Sequence, residues 1–545
     1  WPELLNIPGF VRVMKTPLVK FFHRKQLVKE FFDEPSAEAY AKQNPHMKRK
    51  YYKGLGTSTS AEAKEYFRNL DRYVFDVSGE CTILKRAFGD NTAFRKELSA
   101  RIPEVNEGKT LRDFVYGALS MYIRADNVRK IPSAEDGFKI SQRKVIYTLL
   151  KKNYSTEQKV AQLSGIVANF SHYHSGEDNL SKVIINMAQT FPGSNNLPLL
   201  KDAGQFGTLH HGGKDHAAPR YVYTELKDYV RKIFRTEDMS VLKYAVVDGH
   251  EVEPEWFMPI IAWILVNGIC GLGTAWVSNI PQHNPLDLIA ITKARLSGVK
   301  KPPPFPWTAN HLGRYGRTPE GKLANVVEYQ MDGTTMTVNE LPVGVWTETI
   351  EEKIKNPKHK MGFDSFDQTM TDTSVTFTFY GVTNAEKLAA SLSLTKIMRE
   401  NYVVFMDQQL VETNVQSILD HHYEKRYELY VLRKEHQLNT LQTEINELAA
   451  KMKFIQVCVD GKIPLTTASH ADLEKACETH GVRSEYLDIS LRELSPEKVT
   501  RLSDTIAEKQ TAHDALQKQT VEEIWMRELN ELESMLRPDQ KKRKR

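Results

Sequence analysis

The chain has 545 residues, of which 41% are hydrophobic and 26% charged, with a formal net charge of only +5. That length can bury several cores, about three to five domains by the usual size range, while so small a net charge names no partner. The four cysteines, Cys81, Cys270, Cys458 and Cys477, are far apart and form no CxxC pair, which argues against a disulfide framework, a zinc site and redox chemistry, and suits a reducing compartment.

The first residues, WPELL, read as the middle of a domain, with neither signal-peptide nor transit-peptide composition, so the sequence is expected to be a fragment. Residues 1–70 mix short apolar strands, as in FVRVMKTPLVKFF, with the turn and helix of YYKGLGTSTSAEAKEYF. Ser60 is the expected cap of that helix. Its two glycines suit either a phosphate-binding loop, whose free N–H groups face an anion, or a plain chain reversal.

Over residues 124–152 the charge is uneven, eight Lys/Arg against three acids. There DGFKISQRKVIYTLLKK predicts a helix with Val145, Ile146, Leu149 and Leu150 facing inward, and with Lys139, Gln142, Arg143 and Lys144 near its start. Those four can meet phosphates or groove edges, or form an ordinary solvated face. From residue 111 to about 276, short helical patterns alternating with glycine-rich turns suit a compact α+β module. The longest apolar stretch, MPIIAWILVNGICGLGTAWV, is broken by glycines and reads as buried rather than membrane-spanning.

Strand patterns return between residues 285 and 407, notably TMTVNEL and SVTFTFY, and indicate a separate β-rich domain. Beyond it, Leu438, Leu441, Ile445, Leu448, Met452 and Ile455 recur at alternating spacings of three and four, the stripe by which one helix packs along another. A second helix is expected to start at Ser495-Pro496, a cap followed by proline in the first turn. The two would form an antiparallel coiled-coil arm, and its globular tip a dimer contact. The terminal KKRKR is readable as a nuclear address, a nonspecific phosphate contact or a solvated tail.

Residues 210–226, HHGGKDHAAPRYVYTEL, raise a chemical possibility. A phenol is a reversible nucleophile toward phosphodiesters, and its aryl diester conserves the bond energy, so a strand can be cut and resealed. Arg220 can stabilise charge on the phosphoryl oxygens, and a histidine can assist deprotonation. The plain alternative is a strand, RYVYTEL, with Tyr221 and Tyr223 on one face.

In chain order, YYKGLGTSTSAEAKEYF, IPSAEDGFKISQRKVIY, YHSGE, FPGSNN, GQFGT, HGGKDHAAPRYVYTEL, VEPEW, ILVNGICGLGTAW and ELPVGVWT resemble the breakage-reunion core of eukaryotic-type type IIA DNA topoisomerases. The resemblance runs over almost the whole chain and implies a multidomain α/β fold. It would comprise the C-terminal part of a Rossmann-like TOPRIM domain (residues 1–70), linker helices (71–110), a winged-helix DNA-cleavage domain (111–284), a β-rich tower (285–410), an antiparallel coiled coil with a dimerisation gate (411–536) and a basic tail (537–545). It implies a homodimer acting on double-stranded DNA, with Mg2+ and ATP as cofactors, in the nucleus unless the protein is an organellar or viral member.

By the same resemblance Tyr221 matches the nucleophile, Arg220 the phosphate clamp beside it, and His174 the first of two histidines whose second is replaced here by Ser175. Leu272 falls at the apolar wedge that unstacks a base step and bends the duplex. Lys139, Gln142, Arg143 and Lys144 fall on the recognition helix, and Lys53 on a contact in the metal and phosphate domain. The family's acidic magnesium ligands and ATPase module would lie before WPELL, so no metal ligand is assigned. The rival reading is a noncatalytic, dimeric winged-helix DNA-binding scaffold, for which Tyr221 would be dispensable. The expected outcome for this polypeptide alone is DNA binding and bending with little or no cleavage; strong magnesium-dependent cleavage of plasmid DNA by the pure chain would contradict it.

Overall fold

A computed structural model of the chain describes all residues except 1–2, 5–6, 53, 71–73, 77–80, 102–109, 155, 248–249, 357–360, 464, 466–467 and 538–545. The chain forms two compact units. The first comprises Trp1–Pro132, Cys270–Asn279 and Asn401–Glu412, the second Ser133–Ile269, Ile280–Glu400 and Thr413–Arg545. Mixed α/β architecture, with many helices and small antiparallel sheets, agrees with the fold class read from the sequence.

In the first unit, Val19–His23 is the central strand of a three-stranded antiparallel sheet, between Gln26–Phe31 and Lys48–Tyr51. Helix α1 (Glu34–Gln43) starts where the Asp33 carboxylate accepts the Ser36 N–H at 2.8 Å. It brings Ala37 and Tyr40 against Val19 and Phe21, with Phe21 and Tyr40 meeting edge to face at 5.0 Å. Lys20 alternates to the opposite face and is buried there, its ammonium 3.1 Å from Glu30 and 4.8 Å from the Tyr66 ring centroid.

Helix α2 (Ser60–Arg68) corrects one expectation. Its cap is Thr59, not Ser60: Thr59 accepts from the Glu62 N–H while Glu62 reaches back to the Thr59 N–H at 2.7 Å, a reciprocal capping box. The Glu62 carboxylate thereby occupies the donors that the phosphate-loop reading left for an anion. Helices α3 (Cys81–Phe88), α4 (Ala93–Ala100) and α5 (Leu111–Phe114) follow, and one π turn leads from α5 into α6 (Ser120–Lys130). They share a core around Leu98, Val115 and Ile123.

The second unit is built on α7 (Ile140–Lys152), in which every residue from Arg143 to Leu150 is buried. Val145, Ile146, Leu149 and Leu150 face inward as predicted, but so do their polar neighbours, so α7 is a core helix with no solvated face. Helices α8 (Val160–Phe170) and α9 (Glu177–Ala188) pack beside it. The residues from Met258 to Val266, the start of the long apolar stretch, are buried throughout.

After α10 (Pro285–Leu296) comes the β-rich part. Its four-stranded antiparallel sheet runs in the order Gln330–Asp332, Thr335–Val338, Val375–Tyr380, Ser365–Met370. TMTV and SVTFTFY supply the two central strands, with Met336, Phe377 and Phe379 turned into a core that α11 (Thr347–Lys355) and α12 (Ala385–Leu392) cover.

Helix α13 (Val415–Val459) has 45 residues, about 68 Å at 1.5 Å per residue. After α14 (His470–His480) in the tip, α15 (Pro496–Lys518) returns along it, capped by Ser495 with proline at its start. Lys509 pairs with Glu444 at 2.7 Å, and Lys434 reaches the Gln517 and Gln519 carbonyls at 3.1 and 2.6 Å. Numbers rise on one helix as they fall on the other, so the pair is antiparallel. Of the predicted stripe, Ile445 and Ile455 are buried and Leu438, Leu441, Leu448 and Met452 half-buried.

Helix α16 (Val521–Leu536) then packs near the start of α13. Here the buried groups are ionic. Arg426 pairs with Asp238, Arg433 lies 3.1 Å from Asp238 and 2.6 Å from Glu528, and the Tyr430 hydroxyl donates to Glu528 at 2.7 Å. Burial alone would push the Glu528 carboxyl up, but Arg433, Arg426 and Arg235 hold it below the usual carboxylate value. Removing one arginine strands buried carboxylates, a loss of about 3–5 kcal/mol. Arg426→Ala is therefore expected to destabilise the second unit by that order, read as a lower unfolding midpoint in urea. Because the folded Glu528 value is depressed, the parent's advantage is full above the unfolded carboxylate range and fades as pH falls through the folded value; an Arg426→Ala midpoint equal to the parent's at neutral pH would contradict this.

Candidate active site

Tyr221 lies in the second unit on a segment whose backbone is held along both edges. On one side Pro219 and Val222 carbonyls accept the Ala161 and Val160 N–H groups at 3.1 and 3.0 Å, at the start of α8. Tyr223 pairs there with Lys159 across a short antiparallel bridge. On the other side Tyr223 and Ala203 exchange backbone hydrogen bonds at 3.0 and 3.2 Å, and the Lys201 N–H donates to Glu225 at 2.8 Å. Side chains in such extended backbone alternate. Val222 and Thr224 are buried, so Tyr221 and Tyr223 must point out, and Tyr221 is 64% exposed.

The strand reading of RYVYTEL is thus right only in part. Regular strand begins at Tyr223, and Tyr221 sits just before it in a turn closed by its own N–H on the Ala218 carbonyl at 2.9 Å. The Arg220 guanidinium stands 4.7 Å from the Tyr221 ring centroid, a cation over a π face, and is itself exposed. A phenol and a guanidinium are therefore presented side by side to solvent on a rigid backbone. That pair can take a phosphodiester, the hydroxyl facing phosphorus and the cation its oxygens.

The preceding loop is fastened by glycines and polar side chains. Gly212 has φ +60, and a Cβ there would lie 2.4 Å from the Trp346 indole, so only glycine fits. The Gln189 amide donates to the Phe206 and Gly213 carbonyls at 2.9 and 3.0 Å. Thr208 donates twice to Asp215, through N–H at 2.9 Å and hydroxyl at 2.5 Å. His211 Nδ1 lies 2.8 Å from the Glu348 carboxylate at the start of α11, with the His210 ring edge-on at 4.2 Å.

His174 is exposed beyond the C-terminal end of α8, next to Ser175. The tyrosine segment is hydrogen-bonded at the other end of that helix, which is 11 residues or about 16 Å long. His172, two residues earlier, stacks on His250 at 4.8 Å.

Two of the basic residues expected to face a polyanion do not. Arg143 is 7% exposed, with its guanidinium fork on Asp136 at 2.6 and 3.0 Å; Lys144 is 5% exposed, bonded to Glu253 at 2.7 Å and to the Ser171 carbonyl at 2.5 Å. A charge this deep is retained because it is paired, so both residues hold the core, and the expectation that they contact DNA is corrected. Lys139 and Gln142 are half-buried at the start of α7, the Gln142 side chain accepting the Lys139 N–H at 3.0 Å. Lys53 lies outside the described residues.

Leu272 belongs to the first unit. The strands Ile269–Leu272 and Val277–Ile280 form a hairpin closed by the Gly273 N–H on the Trp276 carbonyl at 2.9 Å. Leu272, near its tip, is 67% exposed.

A family model described as DNA gyrase/topoisomerase IV matches residues 129–530, and one for the C-terminal associated domain of TOPRIM matches residues 14–127. The chain belongs to the type IIA DNA topoisomerase family. Among members of that family it is similar to DNA topoisomerase 2 of Bombyx mori, 35% identical over 93% of this chain and 35% of that protein. It is likewise similar to DNA topoisomerase 2-alpha of Rattus norvegicus, 35% identical over 89% of this chain and 34% of that protein. A mitochondrial DNA topoisomerase 2 of Dictyostelium discoideum is 31% identical over 99% of this chain and 45% of its own length. The chain thus spans about a third to just under half of these relatives. The crystal structure of the Plasmodium falciparum topoisomerase II DNA-binding, cleavage and re-ligation domain superposes with a TM-score of 0.81 at 30% identity, over 98% of this chain and 81% of that one.

Within this topoisomerase core the His211–Glu348 contact has no sequence signature, since its partners are 137 positions apart and no local pattern joins them. The hydrogen bond to Glu348 raises the His211 pKa above its ordinary value. A raised histidine favours the contact below its unfolded pKa, and the contact is lost as pH rises through the folded value. His211 is expected to titrate above 6.5 by NMR and to move down in Glu348→Gln; an unchanged titration curve in that variant would exclude the pairing.

Proposed function

We propose that this chain is the DNA-breaking and rejoining core of an ATP-hydrolysing type II DNA topoisomerase that acts as a homodimer on double-stranded DNA. The observation that carries the reading is Tyr221, a solvent-facing phenol under Arg220 on a doubly held backbone, in a chain of this family. In the proposed step the Tyr221 oxygen attacks a backbone phosphorus. The new O–P bond replaces the bond to the 3′ oxygen, the phenolic proton leaves, and the departing 3′ oxygen is protonated to a hydroxyl. The product is a 5′-phosphotyrosyl link, and religation is the reverse. Arg220 binds the non-bridging oxygens, whose charge grows in the transition state. His174 or water carries the proton, Ser175 being unable to act as a base near neutral pH. One tyrosine per chain cuts one strand, so a double-strand break needs two chains, between whose cut ends a second duplex passes.

Leu272 fits the role of the wedge: an apolar side chain on a tight turn can unstack a base step in exchange for a bent, wrapped duplex. Lys139 and Gln142 remain candidates for phosphate contact, as does Lys53. The domain layout proposed for this function is the one read from the sequence: TOPRIM end, winged-helix cleavage domain, tower, and coiled coil with dimer gate. No helix among the described residues is long and apolar enough to cross a membrane, and a nuclear site is the proposed location.

Mg2+ and ATP are the cofactors this reading implies. The buried carboxylates of the first unit do not fit a divalent ion: Glu30 is 3.1 Å from the Lys20 ammonium, and Glu62 is taken by Tyr52 and the α2 cap. No step is therefore routed through a metal on these residues. Tested in a chain extended to the length of its relatives, with magnesium and plasmid DNA, the protein is expected to become covalently joined to 5′ ends. Tyr221→Phe should abolish the adduct while leaving DNA binding, and Arg220→Ala should slow cleavage by roughly 10²–10³-fold. An adduct that persists without Tyr221, or one joined to 3′ ends, refutes the proposal.

A further inference from the structure

The Leu272 hairpin has strands of only four residues, and a two-stranded ribbon of that size is marginally stable by itself. Yet a side chain that prises stacked bases apart must work against a stiff support, because a turn that yields relaxes before the bases do. We propose that Asp126 is the positioning residue that supplies this stiffness: its buried carboxylate grips the Thr274 hydroxyl and fixes the turn that presents Leu272. The inference rests on the wedge reading of Leu272 and goes beyond it.

Three features of the first unit support the assignment. The Thr274 hydroxyl donates to Asp126 Oδ2 at 2.8 Å, across 148 positions of sequence. The backbone on either side of Leu272 lies directly on the last turns of α6: a Cβ at Gly271 would stand 2.6 Å from the Lys130 carbonyl oxygen, and one at Gly273 2.3 Å from Asn127 Oδ1. Finally, the turn holds Ala275 at φ +67, a conformation that residues with a Cβ adopt at a cost and keep only where their surroundings impose it. Trp276, which closes the turn, is capped by the Lys96 ammonium 4.1 Å from its ring.

The carboxylate is divided between two tasks. Oδ1 faces Lys130 at 2.9 Å and Arg129 at 3.6 Å, while Oδ2 faces the hydroxyl. The two cations neutralise a charge that is only 2% exposed. Burial would raise the Asp126 pKa, but the bonds from Lys130 and Thr274, with Arg129 beyond them, hold it below the ordinary value. The acid therefore stays ionised and the grip persists across the neutral range. Lys130 and Arg129 keep exposed side chains, so the cations that balance Asp126 stand on the same helix turn that carries the wedge.

The test measures bending by fluorescence energy transfer between the ends of a duplex of roughly 30 base pairs, using the full chain. Thr274→Val removes the hydroxyl at nearly constant shape, and Thr274→Ser keeps it. The ratio of bent to straight bound duplex is expected to fall roughly tenfold in Thr274→Val, the size of effect that losing one hydrogen bond to a charged group produces. Low-salt affinity, carried by phosphate contacts, should change less than that ratio, and Thr274→Ser should bend as the parent does. Leu272→Ala is run in parallel. If it loses the bend while Thr274→Val keeps it, the clamp is wrong and the wedge stands. If Leu272→Ala bends DNA as the parent does, the wedge reading falls and the clamp with it. Should Thr274→Val fail to fold, Asp126→Asn carries the same test, and full bending by a folded Asp126→Asn overturns the proposal.

Discussion

The chemistry of this protein depends on the backbone around Tyr221 having no freedom left. Hydrogen bonds reach that segment from the start of α8 on one side and from residues 201–203 on the other. With Val222 and Thr224 committed to the interior, the phenol has one direction available to it. A shift of one residue would bury both tyrosines and expose the valine, so register and reactivity are set by the same alternation. The glycine-rich loop before it extends the restraint. Gly212 lies flat on Trp346, Gln189 ties the loop to the end of α9, and Thr208 and Asp215 close it on itself.

A second constraint acts on the long arm. Helix α13 uses two kinds of interface along its 45 residues. Toward its end the stripe around Ile445 and Ile455 packs by ordinary apolar burial, continuing into the small core of the tip with Cys477 and Leu502. Near its beginning the buried face is His422, Arg426, Tyr430 and Arg433, satisfied by Asp238, Glu528 and the Pro259 carbonyl. An apolar seam tolerates sliding by small increments, whereas an ionic one is correct in a single register because every alternative strands a charge. The base of the arm is thus fixed in register by chemistry, and the remainder by length and shape.

This division explains what was legible in the sequence. The apolar stripe of α13, the Ser495-Pro496 start, the central strands of the β-rich sheet and the inward positions of α7 all follow from period and cap residues, which are local signals. The first half of α13 carried no such signal, since His422, Arg426 and Arg433 look like solvent-facing polar residues until their partners are folded beside them. Arg143 and Lys144 misled for the same reason. Adjacent cations at a helix start resemble a phosphate-binding face, and only Asp136 and Glu253, the latter 109 positions away, reveal them as core ion pairs. Ser60 was displaced as a cap by its neighbour because Thr59, not Ser60, stands three residues before Glu62. Tyr221, Arg220 and Leu272 were found through ordered motifs resembling a known family; hydrophobicity alone would have read Leu272 as core.

Leu272 and Tyr221 nonetheless share a physical signature that composition hides. Each is a large side chain, about two-thirds exposed, flanked on both sides by residues that cannot move outward. For Tyr221 the constraint is the paired backbone and the buried Val222; for Leu272 it is Gly271 and Gly273 pressed against α6. An exposed apolar residue on a loose loop would collapse onto the nearest surface and save its hydration cost of roughly 25 cal/mol per Å². Here the local backbone forbids that collapse, so the exposure is imposed by structure and not merely tolerated. A residue held out in this way is available to work on something outside the chain, whereas the same residue free to fold back would spend most of its time covered.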